Sequence, residues 1–494
     1  MQENNVDHLD LDILFTRVHL PPEEEYGDFA DVGSTEMSNG LCWLAAVVRE
    51  KGYKTEILDG HALRLSVSKM AEIIMKKNPK YLGISSDTIN IFTAAELAEK
   101  LKKSNPQMKV IIGGPHVTAA PEETMKRFPS FDIGVLREGE LTIVELLELL
   151  KNSESNPTFE ELSKVPGIIY RNTESDQTTR SEPRKFIKDL DTLPLPAWDL
   201  LPDLNKYYVP PGWSMHRDSS AVIITSRGCP SQCTYCDRAV FGNYIRLHSA
   251  DYVMKMLHLL YYKYKIRHFR INEDNFVFVR QRVMEVCNRI IKENLKITWS
   301  CFARADRVDL EMLKLMKKAG CWQISYGVET GCQKIHDVEK KNVTLEQTAK
   351  AVKLTRQAKI RVVGFNMIGH PLETVKTMQA TIDFNKKIKV DDFKTQFLMP
   401  FPGTELYQTA EQFGDFDRDW KKMAVFKEPI FIPYGLTKEQ IIHYNKKGFW
   451  QFYTQPRVIF SYLIQVRKFS DIKTLFVGGL TILKMVFKKK KVAS

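Results

Sequence analysis

Strand-like and helix-like segments take turns along most of this chain, and few folds accommodate that pattern. "DILFTRV" (12–18) reads as a buried strand, and "GLCWLAAVVREKG" (40–52) has helical spacing and stops at Gly52. "KTEILD", "YLGISS", "KVIIGG" and "DIGVLREGE" read as further strands. The helical "VSKMAEIIMKKN" and "FTAAELAEKLKKSN" fall among them, and a helix over 141–151 follows. This predicts an α/β domain over residues 1–151, a doubly wound, Rossmann-like parallel sheet that binds ligands beyond the carboxyl ends of its strands. Residues 152–218 are rich in Ser, Thr, Asn and Pro, with "LPLPAWDLLP" (193–202) as a stiff stretch, and predict a connector broken by one strand, "GIIYR" (167–171).

A second alternation begins at 219. Its strands are "AVIITS", "HFRI", "ITWSCF", "QISYG", "RVVGFNMIG" and "FKTQFLMP", and helices fit at 249–264, 279–293, 309–319, 344–357 and 374–387. Six strand–helix units are fewer than the eight of a closed barrel, so residues 219–405 predict a partial (β/α)6 barrel. Residues 406–494 predict a helical, aromatic and basic C-terminal region. A chain of 494 residues has room for these parts as separate domains.

Three of the eight cysteines stand together in "SRGCPSQCTYC" (226–236), just past a predicted strand. Cys229, Cys233 and Cys236 thereby offer three thiolates on one tight loop. A four-iron cluster held by three cysteines keeps one iron open for a ligand, and thiolates suit iron–sulfur better than hard cations. A zinc site would need a fourth ligand at regular spacing, and His248 is the only nearby candidate. Cys42, Cys287, Cys301, Cys321 and Cys332 each fall in a predicted helix or strand, or at a strand end, and read as small core residues.

The pattern Cys229-x3-Cys233-x-Tyr235-Cys236 at the top of a first barrel strand resembles that of radical S-adenosylmethionine enzymes. The resemblance implies a 4Fe-4S cluster whose open iron binds S-adenosylmethionine, and an electron donor such as flavodoxin or ferredoxin. Reductive cleavage would then release methionine and a 5′-deoxyadenosyl radical. It places Tyr235 near the adenine, and either Glu273 or Asp274 of "INEDNF" (271–276) at the cofactor's amino group. Arg304 of "WSCFARAD" would face the barrel mouth, Glu329 of "YGVETG" would point at the cofactor, and "GFNMIGHPLET" (364–374) would cradle adenine.

The first domain resembles the cobalamin-binding domain found in one large subgroup of these enzymes, so that the likeness spans about residues 10–408. "GISSDT" (83–88), "GGPHVTAAPEE" (113–123) and "LREGELT" (136–142) carry it, and it implies Ser85, Gly113, Gly114, His116 and Glu138 as cofactor-binding residues. "LDGHALR" (58–64) contains Asp59-x-His61, but Arg64 stands where a cobalt-ligating histidine motif needs Gly, and the stretch follows the second strand rather than the first. The expectation is therefore cobalt with no protein histidine below it. Only Cys42 precedes the triplet, so no second cluster of the methylthiotransferase kind can be built there.

These likenesses imply a C-methyltransferase acting on an unactivated carbon of a small or lipid-like substrate. A non-methylating oxidative cyclase on the same scaffold, and a cobalamin or iron–sulfur binder without activity, stay open. The N-terminus lacks an apolar signal core and no stretch reaches about 18 uncharged apolar residues, which leads to a cytoplasmic expectation. A net charge of +12 without basic runs interleaved with aromatics argues against nucleic acid. Residues 475–487, followed by Lys488 to Lys491, admit two readings: a helix packed on the barrel, or an interfacial helix on the inner membrane face. Phe449, Trp450, Phe452, Tyr453, Phe460 and Tyr462 suit the second.

Overall fold

The computed structural model describes residues 11–153, 157–171, 177–208, 210, 220–466 and 469–487. The chain divides into two compact units. The first comprises Met1–Leu20, Met37–Asp203 and Arg238–Gly242, and the second Pro21–Glu36, Leu204–Asp237 and Asn243–Ser494.

The first unit is built on β1 (Ile13–Arg17), β2 (Thr55–Asp59), β3 (Tyr81–Ser85), β4 (Lys109–Gly113), β5 (Ile133–Val135), β6 (Ile168–Arg171) and β7 (Thr178–Arg180). Their order is 2-1-3-4-5-6-7. The first five are parallel, and β6 and β7 join antiparallel. Ile13, Leu14, Phe15, Leu82, Ile84, Val110 and Ile112 are buried, the continuous apolar runs of strands covered on both faces. The order 2-1-3-4-5 reverses direction between β1 and β3, and a crevice opens at such a point beyond the strand ends.

The proline-rich stretch is not a loose linker. The Trp198 indole donates to Asn39 Oδ1 at 3.0 Å, the Ala197 amide to the Cys42 carbonyl at 3.0 Å, and the Ile187 amide to Glu138 at 2.9 Å. Trp198 is buried, and burying so large a ring outweighs the polar composition around it.

The second unit carries β8 (Ser220–Ile223), the short hairpin β9 (Ser226–Arg227) with β10 (Arg246–Leu247), then β11 (His268–Ile271), β12 (Thr298–Ala303), β13 (Cys321–Glu329), β14 (Arg361–Ile368) and β15 (Asp392–Phe397). β8 and β11 to β15 form one parallel sheet in sequential order, the six-stranded partial barrel. Four of its crossover helices start where a side chain caps the first turn: Ser249, Asp309, Thr344 and Thr374 each accept an amide three residues on.

Helices Lys438–Tyr453, Pro456–Leu463 and Phe469–Phe487 follow. The last is longer than the thirteen apolar residues expected. Phe449 and Phe452 are buried against Phe393, and Tyr453 bonds Asp392, so these aromatics serve the core and not an interface. Trp450 and Phe460 are exposed. Lys488 to Lys491 lie outside the described residues. Cys42, Cys287, Cys301 and Cys321 are buried as expected, whereas Cys332, at the residue before the helix Gln333–Val338, is half-buried.

One buried ion pair ties the first strand of the barrel to the second. Glu273 accepts the Thr225 amide at 2.5 Å and hydroxyl at 2.7 Å, and Arg282 bonds Glu273 at 3.4 Å and the Thr225 hydroxyl at 2.8 Å. Both side chains are almost wholly buried. Arg282→Met leaves that carboxylate without its cation and is expected to cost about 3 kcal/mol, read as a lowered urea midpoint with unchanged slope.

Candidate active site

The cysteine loop leaves β9 past the carboxyl end of β8, the end at which barrels of this type hold their chemistry. All three cysteines are free thiols, with Cys233 buried, Cys229 half-buried and Cys236 exposed. Among the described residues no three Cys, His, Asp or Glu side chains converge on one ion-sized point. A single zinc needs its sulfurs within about 2.3 Å of one centre, whereas a cubane presents a separate iron to each thiolate. Three free thiols on one loop, with Lys341 and Arg304 nearby, are the donor set that an iron–sulfur cluster takes. His248 does not join it: it is buried and stacks on Tyr252 at 4.0 Å.

The loop is braced from behind. The Thr234 amide donates to the Glu339 carbonyl at 3.0 Å, and the Thr234 carbonyl accepts the Leu406 amide at 2.8 Å. Glu339 in turn bonds His370 Nδ1 at 2.7 Å, with both side chains fully buried, while His370 Nε2 donates to the Met367 carbonyl at 3.1 Å. Burial opposes the imidazolium, but Glu339 outweighs it and lifts the His370 pKa to about 9.

Positive charge lies beside the thiols. Lys341 sits 2.6 Å from Glu329, both largely buried. Burial works against the Lys341 ammonium, but Glu329 and the Cys233 and Cys236 thiols hold its pKa up. Arg304 is held by Asp306 at 3.0 Å and by the Lys341 carbonyl at 3.1 Å. Its guanidinium also resists burial because Asp306, Cys233 and Cys229 favour the charge. The Cys233 thiol is lowered to about 6, chiefly by its hydrogen bond with Cys236 and, against burial, by Lys341. Cys236, the partner in that hydrogen bond, is pushed the opposite way, so one thiol of the pair is primed as thiolate, and Lys341 favours the charge on either.

Glu329 reaches Lys341 at the end of β13 from a left-handed backbone, φ +59°. Gly327 makes room for the pair, since a Cβ there would stand 2.2 Å from the Glu329 carboxylate and 2.9 Å from Nζ. Tyr235 packs against the cluster of Met367, Leu398 and Phe431. The alternative between Glu273 and Asp274 acquires a geometric basis. Glu273 is spent on Thr225 and Arg282, while Asp274 is exposed and makes no hydrogen bond among the described residues.

The first unit has its own candidate site at the ends of β3 and β4. The loops after these strands are zipped together: the Ser86 amide bonds the Gly113 carbonyl at 3.0 Å and the His116 amide bonds the Ser86 carbonyl at 3.3 Å. Gly114, at φ +105°, allows this, because a Cβ would lie 2.6 Å from the Ser86 carbonyl oxygen. At Gly113 a Cβ would meet nothing closer than 3.8 Å, so the surface there keeps the space that a bound group needs. Ser85 ends β3 beside the switch point. His116 Nδ1 bonds the Thr88 hydroxyl at 3.0 Å, and burial pushes its pKa down to about 4, so it straps the two loops as a neutral ring. Glu138 anchors the Ile187 amide. Asp59 is committed to Arg17 at 2.8 and 3.0 Å and to the Ala62 amide, not to His61. Burial, then Arg17, lowers the His61 pKa to about 4.

Sequence reasoning missed Lys341, Glu339 and His370. "VEKKNVT" looks like a solvated charge run, and only the positions opposite Glu329 and Cys233 reveal its use.

Two family models match: the B12 binding domain over residues 27–147 and the Radical SAM superfamily over residues 223–384. An uncharacterized methyltransferase of Pyrococcus horikoshii is 34% identical across 89% of this chain and 92% of its own length. The anaerobic magnesium-protoporphyrin IX monomethyl ester cyclase of Cereibacter sphaeroides is 26% identical, covering 85% of this chain and 68% of its own. The cobalamin-dependent S-adenosylmethionine radical enzyme OxsB, solved with aqua-cobalamin and S-adenosylmethionine bound, superposes with a TM-score of 0.73 at 18% identity. It covers 97% of this chain and 72% of its own, which shows a shared fold.

The His370–Glu339 pair makes stability pH-dependent. Ordinary histidine titrates near 6.5, so the folded state retains a proton that the unfolded chain has lost. Its contribution, about 3 kcal/mol, is complete below pH 6.5 and disappears as pH rises through about 9. Thermal melts of the full chain should show that fall, and His370→Gln should flatten it.

Proposed function

The chain belongs to the cobalamin-binding radical S-adenosylmethionine enzymes, and on that premise we propose that it methylates an unactivated carbon of a lipid-like substrate. The observation that carries this reading is that one chain holds three free thiols on one braced loop together with the B12-binding sheet. Identity adds support for methyl transfer over cyclisation, since the chain is 34% identical to the methyltransferase relative and 26% to the cyclase.

When bound, the cluster, S-adenosylmethionine and cobalamin supply a carbon-centred radical and a transferable methyl group. The residues' part is to bind, orient and exclude water. Cys229, Cys233 and Cys236 hold the cluster, and Lys341 and Arg304 offset its thiolate charge. Asp274 accepts the amino group of S-adenosylmethionine, and Tyr235 packs against its adenine. Glu329, neutralised by Lys341, takes a remaining polar contact. Ser85 and Gly113 line the cobalamin slot, while Gly114, His116 and Glu138 keep its loops in place. A flavodoxin or ferredoxin supplies the electron.

Replacing any one of the three cysteines by Ala should reduce anaerobic release of 5′-deoxyadenosine to background. Retention of cleavage by all three variants would end the reading. A product heavier by one methylene in strains carrying the gene identifies methyl transfer, and a product lighter by two hydrogens identifies cyclisation.

We further propose that the C-terminal helices rest on an anionic bilayer. No helix among the described residues is long and apolar enough to cross a membrane. Eight of the fifteen exposed large apolar side chains among the described residues lie between Ile459 and Leu483, which concentrates them on one region. Ile472, Phe476, Leu480 and Leu483 form a single stripe at helical spacing. Residues 456–494 hold nine basic side chains and one acidic, a charge complementary to anionic headgroups. The full chain should sediment with phosphatidylglycerol vesicles, weaken at high salt and ignore phosphatidylcholine. Equal recovery with both vesicles, or with a chain lacking residues 469–494, would overturn it.

A further inference from the structure

Inside the second unit, the last two strands of the barrel and the C-terminal helices enclose a cavity of about 370 Å³. Its walls are mostly apolar, including Phe29, Phe365, Phe426, Phe449, Leu475 and Ile482. A volume of this order holds a ligand of some twenty heavy atoms or a stretch of a longer one.

Its position connects it to the cysteine loop. Phe365 lines the cavity, and Met367 is its neighbour on the same face of β14, about 7 Å along the strand. Met367 belongs to the cluster against which Tyr235 packs. Lys394 and Gln396, the β15 partners of Phe365 and Met367, also line the cavity. Phe302 of β12 extends the same face, its ring 5.4 Å from that of Phe365. The cavity is thus continuous with the barrel face on which the cysteine loop rests.

Its roof is the helix Phe469–Phe487, which contributes Leu475, Gly478, Gly479 and Ile482. A Cβ on Gly478 would meet no atom within 4 Å. Ile459 and Leu463 line the cavity and are also exposed, at 48% and 57%, so they mark a mouth. That mouth lies on the helix next to the exposed stripe Ile472, Phe476, Leu480 and Leu483. Polar groups gather elsewhere in the cavity, where Lys394 stands 3.3 Å from the Tyr453 hydroxyl. Asp392, 3.4 Å away, balances the Lys394 charge, so the group recognised there is a neutral hydrogen-bonding one and not an anion.

We propose that this cavity is the substrate site, and that it takes an elongated apolar molecule with one uncharged polar end, of the long-chain alcohol class. This rests on the reading above of the chain as a radical methyltransferase. The apolar body enters between Ile459 and Leu463, the polar end reaches Lys394 and Tyr453, and the carbons beside Phe365 face the side of the barrel on which Met367 and Tyr235 lie.

The test uses the full chain with no cofactor added, so that it stands apart from cleavage of S-adenosylmethionine, which decides the earlier reading. All-trans-retinol serves as a fluorescent isoprenoid alcohol and farnesol as its competitor. One-to-one binding displaced by farnesol is expected, and Gly478→Trp, which fills open space, should weaken it at least tenfold. A diazirine-bearing long-chain alcohol gives a readout that needs no variant: cross-links should map to residues 453–463 and 475–482. Absence of saturable binding, unchanged affinity in a folded Gly478→Trp chain, or cross-links confined elsewhere would each overturn the proposal.

Discussion

The geometry of the second unit depends on a carbonyl oxygen. Glu339 O accepts the amide of Thr234, the residue after Cys233, and the Glu339 side chain is fixed by a fully buried histidine. A loop with three thiols in eight residues has little apolar surface of its own with which to hold a shape. Its position is therefore borrowed from the strand-end turn after β14, where Glu373 accepts the Gly369 and His370 amides at 2.5 and 3.0 Å. Buried ion pairs are weak sources of net stability but strong specifiers of one arrangement, because losing either partner strands the other. Lys341 follows two residues after Glu339, so the same short segment braces the loop and delivers the ammonium beside it.

The first unit solves a comparable problem with backbone alone. Its two ligand-facing loops follow adjacent parallel strands, and Gly114 lets them approach to hydrogen-bonding distance. The histidine of the same motif straps the loops through Thr88, and the glutamate of the following motif holds the polypeptide after β7. Both residues serve the cradle first. Motif residues thus divide into those that leave space, such as Gly113, and those that keep the space from collapsing.

Much of the fold was legible because parallel strands buried on both faces are near-continuous apolar runs, and four of the barrel's helices carry capping residues at their starts. The proline-rich stretch was not, since composition reported its polar residues and not the burial of Trp198. In the site, the three cysteines stood out by spacing. Glu273 and Asp274 were adjacent and chemically alike, so only the position of Arg282, nine residues on and across a strand end, separates a structural carboxylate from an exposed one. Lys341 and His370 act through contacts distant in sequence, and no local pattern marks them. The tail aromatics misled for a related reason: Phe449 and Phe452 have the chemistry of an interface and the burial of a core.

The last helix shows why its two sequence readings could not be separated. A helix apolar all round is either buried or in lipid. This one meets the cavity with Leu475, Gly478 and Ile482 and shows Ile472, Phe476, Leu480 and Leu483 on its other side. Packing on the barrel accounts for the first set and leaves the second in water. Those four side chains would each lose on the order of 1 kcal/mol by staying there, a cost that the proposed contact with a bilayer would remove. A roof that lacks side chains at Gly478 and Gly479 is thin there, which suits the proposed passage of an apolar molecule from a bilayer. On that proposal packing and interfacial roles are two faces of one element, and the glycines in its middle suit both.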